Sequence, residues 1–567
     1  MRKTLKIIAL CVGLAVAVPL AAVVLLSAGA YALYATRDFK QPTFEVDLSA
    51  LTLAAESDSL RICGDNSLLL DRHGLWEARI SGSAAERGAV LGVMAGDLIR
   101  YQEDVFVGQI HELIPSERYV GFLHKVVMLF NRRMAYHIPE ELRDEIYALS
   151  SSCSDRYDDY GTPYVRQLNY HAAHDIGHTM QEYMLVGCSS FAVRGEASAD
   201  GGLVIGRNFD FYAGDDFARN KLVLFMRPDN GYAFASVAWP GMMGVVSGMN
   251  EKGLTVTINA AKGKIPLSAA MPVSLLARMI LQYAGNIGEA LQIAESHRMF
   301  ISESLLIGSA VDGEAAIIEK SPERTELFRT AENRLVCTNH FQSAGFADDP
   351  YNVRNIAESD SPYRYRRLTE LLESEEKLTV EGCARVLRDR FGKGGADIGL
   401  GNEKSINQFM AHHSVIFQPE RLKMWVSTSP WQSGEFVCYD LHEVFGSEGA
   451  AAASFVREEE TVAADSLFLA RDYDRLMAFR EQSAVIRNAV AARERVTDDY
   501  IDNFASLNPE YFGTWDLCGD RALSAGDRIR AVQFWRKALS KEIPRLPERA
   551  EIEKKIEKYD TKQRTAL

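Results

Sequence analysis

The chain has no Cys-x-x-Cys pair, no His-Glu-x-x-His and no excess of basic residues. The first absence excludes a zinc ribbon and a thioredoxin-type redox motif. The second excludes the zinc-peptidase helix that carries two histidines and a glutamate. The third argues against a nucleic-acid partner. There are 63 Lys and Arg against 77 Asp and Glu, a net charge of −14, where phosphate neutralisation needs a basic face. Gly392-Lys393-Gly394-Gly395 is too short for a phosphate loop and lacks Ser or Thr after the lysine. Cysteine is sparse, with eight in 567 residues.

What is present is an ordinary globular composition, 47% hydrophobic and 25% charged, able to bury large cores. At one domain per ~150 residues the length suggests three or four modules. Residues 1–36 stand apart. Arg2, Lys3 and Lys6 precede an uncharged, largely apolar run from Ile7 to Ala35. A secretory core needs only about 7–15 apolar residues and a membrane span ~20, so the run is long enough to stay as an anchor. Ser27-Ala28-Gly29-Ala30 offers small residues to a signal peptidase, and a cleaved signal is the alternative. Either way the basic end stays in the cytoplasm and the rest is exported. Cys11 lies inside the run. The other seven cysteines are an odd number, so at least one thiol is unpaired within the chain, with Cys188 as the candidate. Cys63 and Cys153 are available to pair.

Beyond a polar spacer, residues 60–186 read as mostly helical, and 37–187 as a helical pro-segment or small chain. The segment around Glu86 to Met94 has helical apolar spacing, and Pro139 opens a second helix over 140–149. From Cys188 the pattern turns to short β-rich runs, among them 203–205, 221–226, 232–237 and 254–258, punctuated by Asp229-Asn230-Gly231 and Asn250-Glu251-Lys252-Gly253. Helical periodicity follows over 273–284 and 287–297. Further strands fall at 305–310, 315–319 and 334–338, and a helix at 366–372. A last hairpin folds around Gln418-Pro419-Glu420. Strands, helices and strands again imply layered α+β architecture for residues 188–445. Gly446 to Val462 reads as a linker, within a C-terminal extension 446–567 that is otherwise helical. There Trp515, Cys518, Gly519, Ala522, Ala531, Trp535 and Ala538 follow the spacing of one tetratricopeptide repeat. A plain helical hairpin is the alternative, since roughly three repeats are needed to stack stably.

The chemistry centres on Gly187-Cys188-Ser189-Ser190. A chain cut at Gly187–Cys188 places a thiol and a free α-amine on one residue, a nucleophile with its own base. Taken alone, a cysteine after a glycine reads as a buried small hydrophobe. Here Gly206-Arg207-Asn208-Phe209-Asp210 would return a cation and a carboxylate to the strand start. A plain structural Arg–Asp contact is the alternative for that pair. His171, His174 and His178 share one helical face beside Asp175 and form a candidate metal site. The other reading is a buried polar helix upstream of the cut. His412-His413 precedes a strand without an obvious partner and reads as structural.

Several motifs occur in a fixed order: Gly187-Cys188-Ser189-Ser190-Phe191, Gly206 to Asp210, Gly248-Met249-Asn250-Glu251-Lys252-Gly253-Leu254 and Thr338-Asn339-His340. In this the chain resembles the N-terminal-nucleophile (Ntn) hydrolases, a group that includes penicillin acyltransferases (peptidase family C45), choloylglycine hydrolases and acid-ceramidase-like amidases. Asp360-Ser361-x-x-Arg364 and Gly82 to Gly92 are similar to the acyltransferase branch. The resemblance spans about residues 60–445 and implies a four-layer αββα sandwich with self-cleavage at Gly187–Cys188. It implies Cys188 as nucleophile, with its freed α-amine as proton shuttle, near pKa ~7.7–8.0 in a model peptide. Arg207 would lower the thiol pKa and Asp210 orient the ammonium. Asn339 would be the oxyanion donor, Asn259 a second contributor, and Arg364 would hold the nucleophile region. No cofactor is implied.

The expected function is therefore an exported, self-processing cysteine amidase acting on a small-molecule N-acyl amide through a thioester, its two fragments remaining associated. Three alternatives stand beside it. One is an acyl-coenzyme A-dependent N-acyltransferase, disfavoured by export away from coenzyme A. The others are a non-catalytic anchored scaffold using the C-terminal helices, and a metalloamidase around His171.

Overall fold

A computed structural model describes residues 28–560 apart from 180–186, 265 and 267. Two β-sheets lie face to face in it. In spatial order the larger holds eleven strands: Ala55–Glu56, Leu60–Cys63, Asn66–Leu70, Trp76–Gly82, Leu222–Pro228, Phe234–Ala238, Ser247–Asn250, Leu254–Ala261, Ser302–Ser309, Glu314–Lys320 and Thr325–Phe328. The smaller holds seven: Arg334–Cys337, Ser189–Val193, Val204–Asp210, Ala411–Gln418, Lys423–Ser427, Phe436–Asp440 and Val456–Val462.

Successive strand residues point to opposite faces, and here both faces are apolar. Leu305 and Ile307 enter a core under helices, while Leu306 enters the core between the sheets. On the smaller sheet Val415 and Phe417 point inward, and Ile416 points to the helices on the far side. The layers therefore run helices, sheet, sheet, helices. Each large side chain fully buried in these cores contributes about 1.5–3 kcal/mol.

The helical reading of residues 60–186 needs correction at its start. Residues 55–82 supply four strands of the larger sheet, joined by a turn at Gly64 (φ 58°) and another in which the Asp71 carboxylate accepts from the His73 and Leu75 amides. These strands are short, and the strongly periodic helix after them dominated the pattern. Trp76–Gly82 pairs in parallel with Leu222–Pro228, in register from Trp76 opposite Leu222 to Gly82 opposite Pro228. The larger sheet thus takes strands from both sides of Cys188.

The helix Ala84–Leu113 begins where the Glu86 carboxylate accepts from the Ser83 amide at 2.8 Å. It crosses the helix Glu140–Ser150 so closely that a Cβ on Gly88 would sit 2.0 Å from the Glu145 carbonyl oxygen. Only glycine fits at that crossing.

Three further expectations change. The presumed linker ends in the edge strand Val456–Val462, which pairs with Phe436–Asp440. Cys63 and Cys153 are both free thiols. Cys63 is buried in the core, and the Cys153 sulfur accepts from Gln167 at 3.3 Å. The paired helices Phe512–Ser524 and Arg528–Leu539 carry Trp515, Cys518, Ala522, Ala531, Trp535 and Ala538 inward. They share one core with the helices Tyr473–Ala492, Asp498–Leu507 and Leu546–Tyr559, as one hairpin within a layer and not a stack of repeats. The apolar run from Ile7 lies mostly outside the described residues. Among those described, no helix is long and apolar enough to cross a membrane.

Candidate active site

Cys188 sits immediately before the strand Ser189–Val193 and is fully buried. The neighbouring strand Val204–Asp210 runs antiparallel, with Ser190 opposite Arg207. This register brings the Arg207 Nη2 to 3.7 Å from the Cys188 sulfur. The rest of the guanidinium reaches across to the other sheet. It donates to the Val246 carbonyl at 3.1 Å, to the Ser247 hydroxyl and to the Ile258 carbonyl, over the face of Phe209. Arg207 is therefore fixed by both sheets at once.

Burial pushes the Cys188 thiol up to about 11, against the pull of the Arg207 cation and with a push from Asp210. Asp210 is buried as well, and among the described residues neither carboxylate oxygen has a hydrogen-bond partner. Burial raises it to about 7, with Arg364 and Arg207 acting the other way. A buried carboxylate without hydrogen-bond donors is costly to ionise, which agrees with that rise.

The peptide before the nucleophile is held at both ends. The Gly187 amide donates to the Asp210 carbonyl at 3.2 Å, and the Gln408 side chain donates to the Gly187 carbonyl at 3.1 Å. Arg364 Nη1 donates to the Cys188 carbonyl at 2.8 Å and to the Ser189 hydroxyl at 3.0 Å. Its Nη2 donates to the Asn339 Oδ1 at 2.7 Å, and its Nε to Asp360 at 3.1 Å. Arg366 and Arg367 lie nearby in sequence, but it is Arg364 that reaches the nucleophile.

Five of the expected residues therefore converge: Cys188, Arg207, Asp210, Arg364 and Asn339. Asn339 Nδ2 donates to the Ala260 carbonyl at 2.8 Å in this uncut chain. Asn259 is more distant in role. Its Oδ1 accepts from Ser190 and its Nδ2 donates to the Cys337 carbonyl, so its amide is committed to neighbouring strands.

Sequence reasoning missed Gln408, Ser247 and the purpose of His412-His413. His413 Nε2 lies 2.9 Å from the Ser247 hydroxyl that Arg207 contacts, and His412 and His413 meet at their Nδ1 atoms. Burial pushes His412 down to about 3 and His413 well below its ordinary value, so both are neutral. The one signal available was an adjacent histidine pair entering a strand.

The histidine helix divides. His171 is occupied structurally: Nε2 accepts from the Met243 amide at 2.9 Å and Nδ1 meets the Gln167 carbonyl at 2.7 Å. The side chain of His178 lies outside the described residues. His174, Asp175 and Glu303 bring ligand-type atoms within 4.8 Å of one another, all buried. Among the described residues they are the group that could hold a metal ion. Burial pushes Asp175 and Glu303 up, which also suits a neutral, proton-sharing cluster.

Residues 197–429 match the family model for acyl-coenzyme A:6-aminopenicillanic acid acyl-transferase. The core of this chain resembles that acyltransferase family. The match bears out the likeness to the penicillin acyltransferase branch, and it spans Arg207, Asp210, Asn259, Asn339 and Arg364. It begins past Cys188 and ends before the C-terminal helices. An uncharacterized protein of Archaeoglobus fulgidus is 24% identical over 411 residues, covering 64% of this chain and 66% of its own length. The match thus spans just under two thirds of that relative. Among solved structures, the Caenorhabditis elegans ortholog of N-acylethanolamine-hydrolyzing acid amidase is 14% identical. It covers 41% of this chain and 93% of its own, with a TM-score of 0.30. A variant of the conjugated bile acid hydrolase from Clostridium perfringens is 14% identical. It covers 45% of this chain and 93% of its own, also at 0.30. Overlaps of this score establish neither fold nor role.

Proposed function

We propose that the chain is a self-processing cysteine amidase. Cleavage at Gly187–Cys188 frees the α-amine of Cys188, and the mature residue attacks an N-acyl amide. The acyl group passes to sulfur as a thioester, the amine leaves, and water releases the acid. The observation that carries this reading is the buried Asp210 carboxylate, without a donor among the described residues, beside a buried thiol. Cleavage supplies the missing partner, an α-ammonium on Cys188. That amine, ~7.7–8.0 in a model peptide, then serves as base and acid near neutral pH.

Arg207 lies close enough to stabilise the thiolate. Arg364 fixes the Cys188 carbonyl and carries Asn339, whose amide would have to leave the Ala260 carbonyl to serve as the oxyanion donor. The seven-residue parallel pairing of 76–82 with 222–228 supports continued association of the two fragments. An apolar cavity of about 220 Å³, lined by Phe106, Ile110, Leu123 and Val127, reaches Tyr212 and Ala213 just past Asp210, and on that ground we favour substrates with a hydrophobic acyl group. The apolar run at 7–35 supports an exported, anchored enzyme, and export away from coenzyme A favours water over a second amine as acceptor.

The test is a panel of N-acyl amides of graded chain length given to the cleaved protein, with and without acyl-coenzyme A and free amine. Release of free acid, abolished by iodoacetamide on Cys188 and unaffected by chelators, is expected. Transfer without hydrolysis would establish the acyltransferase alternative. Activity that survives alkylation but is lost to chelation would move the chemistry to His174, Asp175 and Glu303.

A further inference from the structure

Gln408 is buried, 3% exposed, on the loop before the strand Ala411–Gln418. Its Nε2 donates to the carbonyl oxygen of Gly187 at 3.1 Å. That oxygen belongs to the bond that self-cleavage must break, and negative charge gathers on it when sulfur adds to the carbonyl carbon. A Cβ on Gly187 would lie 2.7 Å from the Gln408 Nε2, so this contact also explains a glycine before the nucleophile.

The loop that carries Gln408 is clamped from outside the catalytic core. Asn508 binds Leu400 both ways, accepting from its amide at 3.0 Å and donating to its carbonyl at 2.9 Å. Asn402 donates to the Glu542 carbonyl at 2.9 Å, and Lys404 pairs with the Glu542 carboxylate at 2.7 Å. Next to Gln408, Phe409 takes a left-handed backbone (φ 54°), stacks on Phe468 at 4.6 Å and gives its carbonyl to Arg480. Phe468, Arg480, Asn508 and Glu542 all belong to the C-terminal extension, beyond the residues matched by the family model.

We propose that Gln408 is the oxyanion donor of self-cleavage, and that the C-terminal helices serve to hold its loop against the scissile carbonyl. This rests on the self-processing reading above. The step balances without an outside reagent except water. Cys188 Sγ bonds to the Gly187 carbonyl carbon, the Gly187–Cys188 C–N bond breaks, and the thiol proton ends on the departing nitrogen. Water then opens the thioester, leaving a Gly187 carboxylate, a free thiol and a free α-amine. Gln408 is needed only while Gly187 is bonded to Cys188, so its work is separate from amide turnover.

The experiment is cell-free synthesis of the full chain in detergent, sampled over time for the appearance of two fragments. Wild type, Gln408→Met, Gln408→Glu, Asn508→Ala and Cys188→Ala are compared. Each Gln408 and Asn508 variant is also melted in the Cys188→Ala background to show that it folds. Loss of an oxyanion donor costs about 100–1000-fold in rate, so Gln408→Met and Gln408→Glu should both slow cleavage by that order. Asn508→Ala, which touches no reacting atom, should slow it less. Gln408→Met keeps the length but no donor, so cleavage of that variant at the wild-type rate overturns the donor role. Wild-type cleavage in Asn508→Ala overturns the buttress. If wild type itself stays whole, the self-processing reading fails, and this inference with it.

Discussion

Two of the clusters of ionisable groups buried in the molecule are built in opposite ways. In the first, Glu145 sits between Arg87 and Arg278, all three essentially without solvent contact. Its carboxylate takes Arg87 at 2.7 Å and Arg278 at 3.2 Å. Arg87 goes on to the Gly82 carbonyl and Glu141, and Arg278 to the Met243 carbonyl and Gln282. In the second, Cys188, Arg207 and Asp210 are as deeply buried, but among the described residues the carboxylate has no donor, and the cation rests on a hydroxyl and two carbonyls. In the first cluster both carboxylate oxygens have their donors before any chemistry. On the proposed self-cleavage, the second gains its partner only when the Gly187–Cys188 bond breaks. Burial alone marks neither as functional; the missing partner does.

The sharpest break in the comparison is Cys188→Ala. It should abolish self-cleavage outright and leave the first cluster intact, read by intact mass and thermal melting. Next in size is Glu145→Ala, which leaves Arg278 without a carboxylate and Arg87 with Glu141 alone. Breaking one partner out of a buried ion pair costs about 3–5 kcal/mol, so the melting temperature should fall steeply while the folded fraction still cuts at the wild-type rate. If cleavage stops in folded Glu145→Ala, the two clusters are coupled and the contrast fails.

Asp210→Asn should behave oppositely to Glu145→Ala. In the uncut chain the folded Asp210 value is raised from 3.8 to about 7. Its stabilising contribution is present below the unfolded value and is lost as pH rises through the folded one. In a Cys188→Ala background, Asp210→Asn removes that loss. Its stability advantage over Cys188→Ala alone should widen by roughly 2–3 kcal/mol between about pH 5 and about pH 9, at ~1.4 kcal/mol per pKa unit. A constant gap across pH would show that Asp210 already has its partner. Self-cleavage should itself speed up with pH. The thiol sits near 11, so the rate in a slowed variant should climb about tenfold per pH unit across the neutral range. The smallest effect is Cys63→Ser, at a free thiol far from the site. It should change cleavage not at all and stability by about 1 kcal/mol, on the scale of a typical single substitution.

Much of this contrast was legible in the sequence on one side only. Cys188, Arg207, Asp210, Asn339 and Arg364 stand in ordered short motifs, and residues near a strand start find each other through local register. The layered α+β core was readable because its strands are apolar on both faces. Residues 55–82 were not, because short strands with polar turns carry little periodic signal beside a 30-residue helix. Gln408 was invisible for a different reason. It lies 221 positions from Gly187, on a loop whose shape depends on helices further still along the chain. No local pattern encodes such a contact.

The central claim is tested most directly by intact mass and N-terminal sequencing of purified wild type beside Cys188→Ala. Wild type should give two fragments, the second beginning at Cys188, and the variant a single chain. A wild-type protein that is folded, thiol-reactive and still one chain would contradict the account.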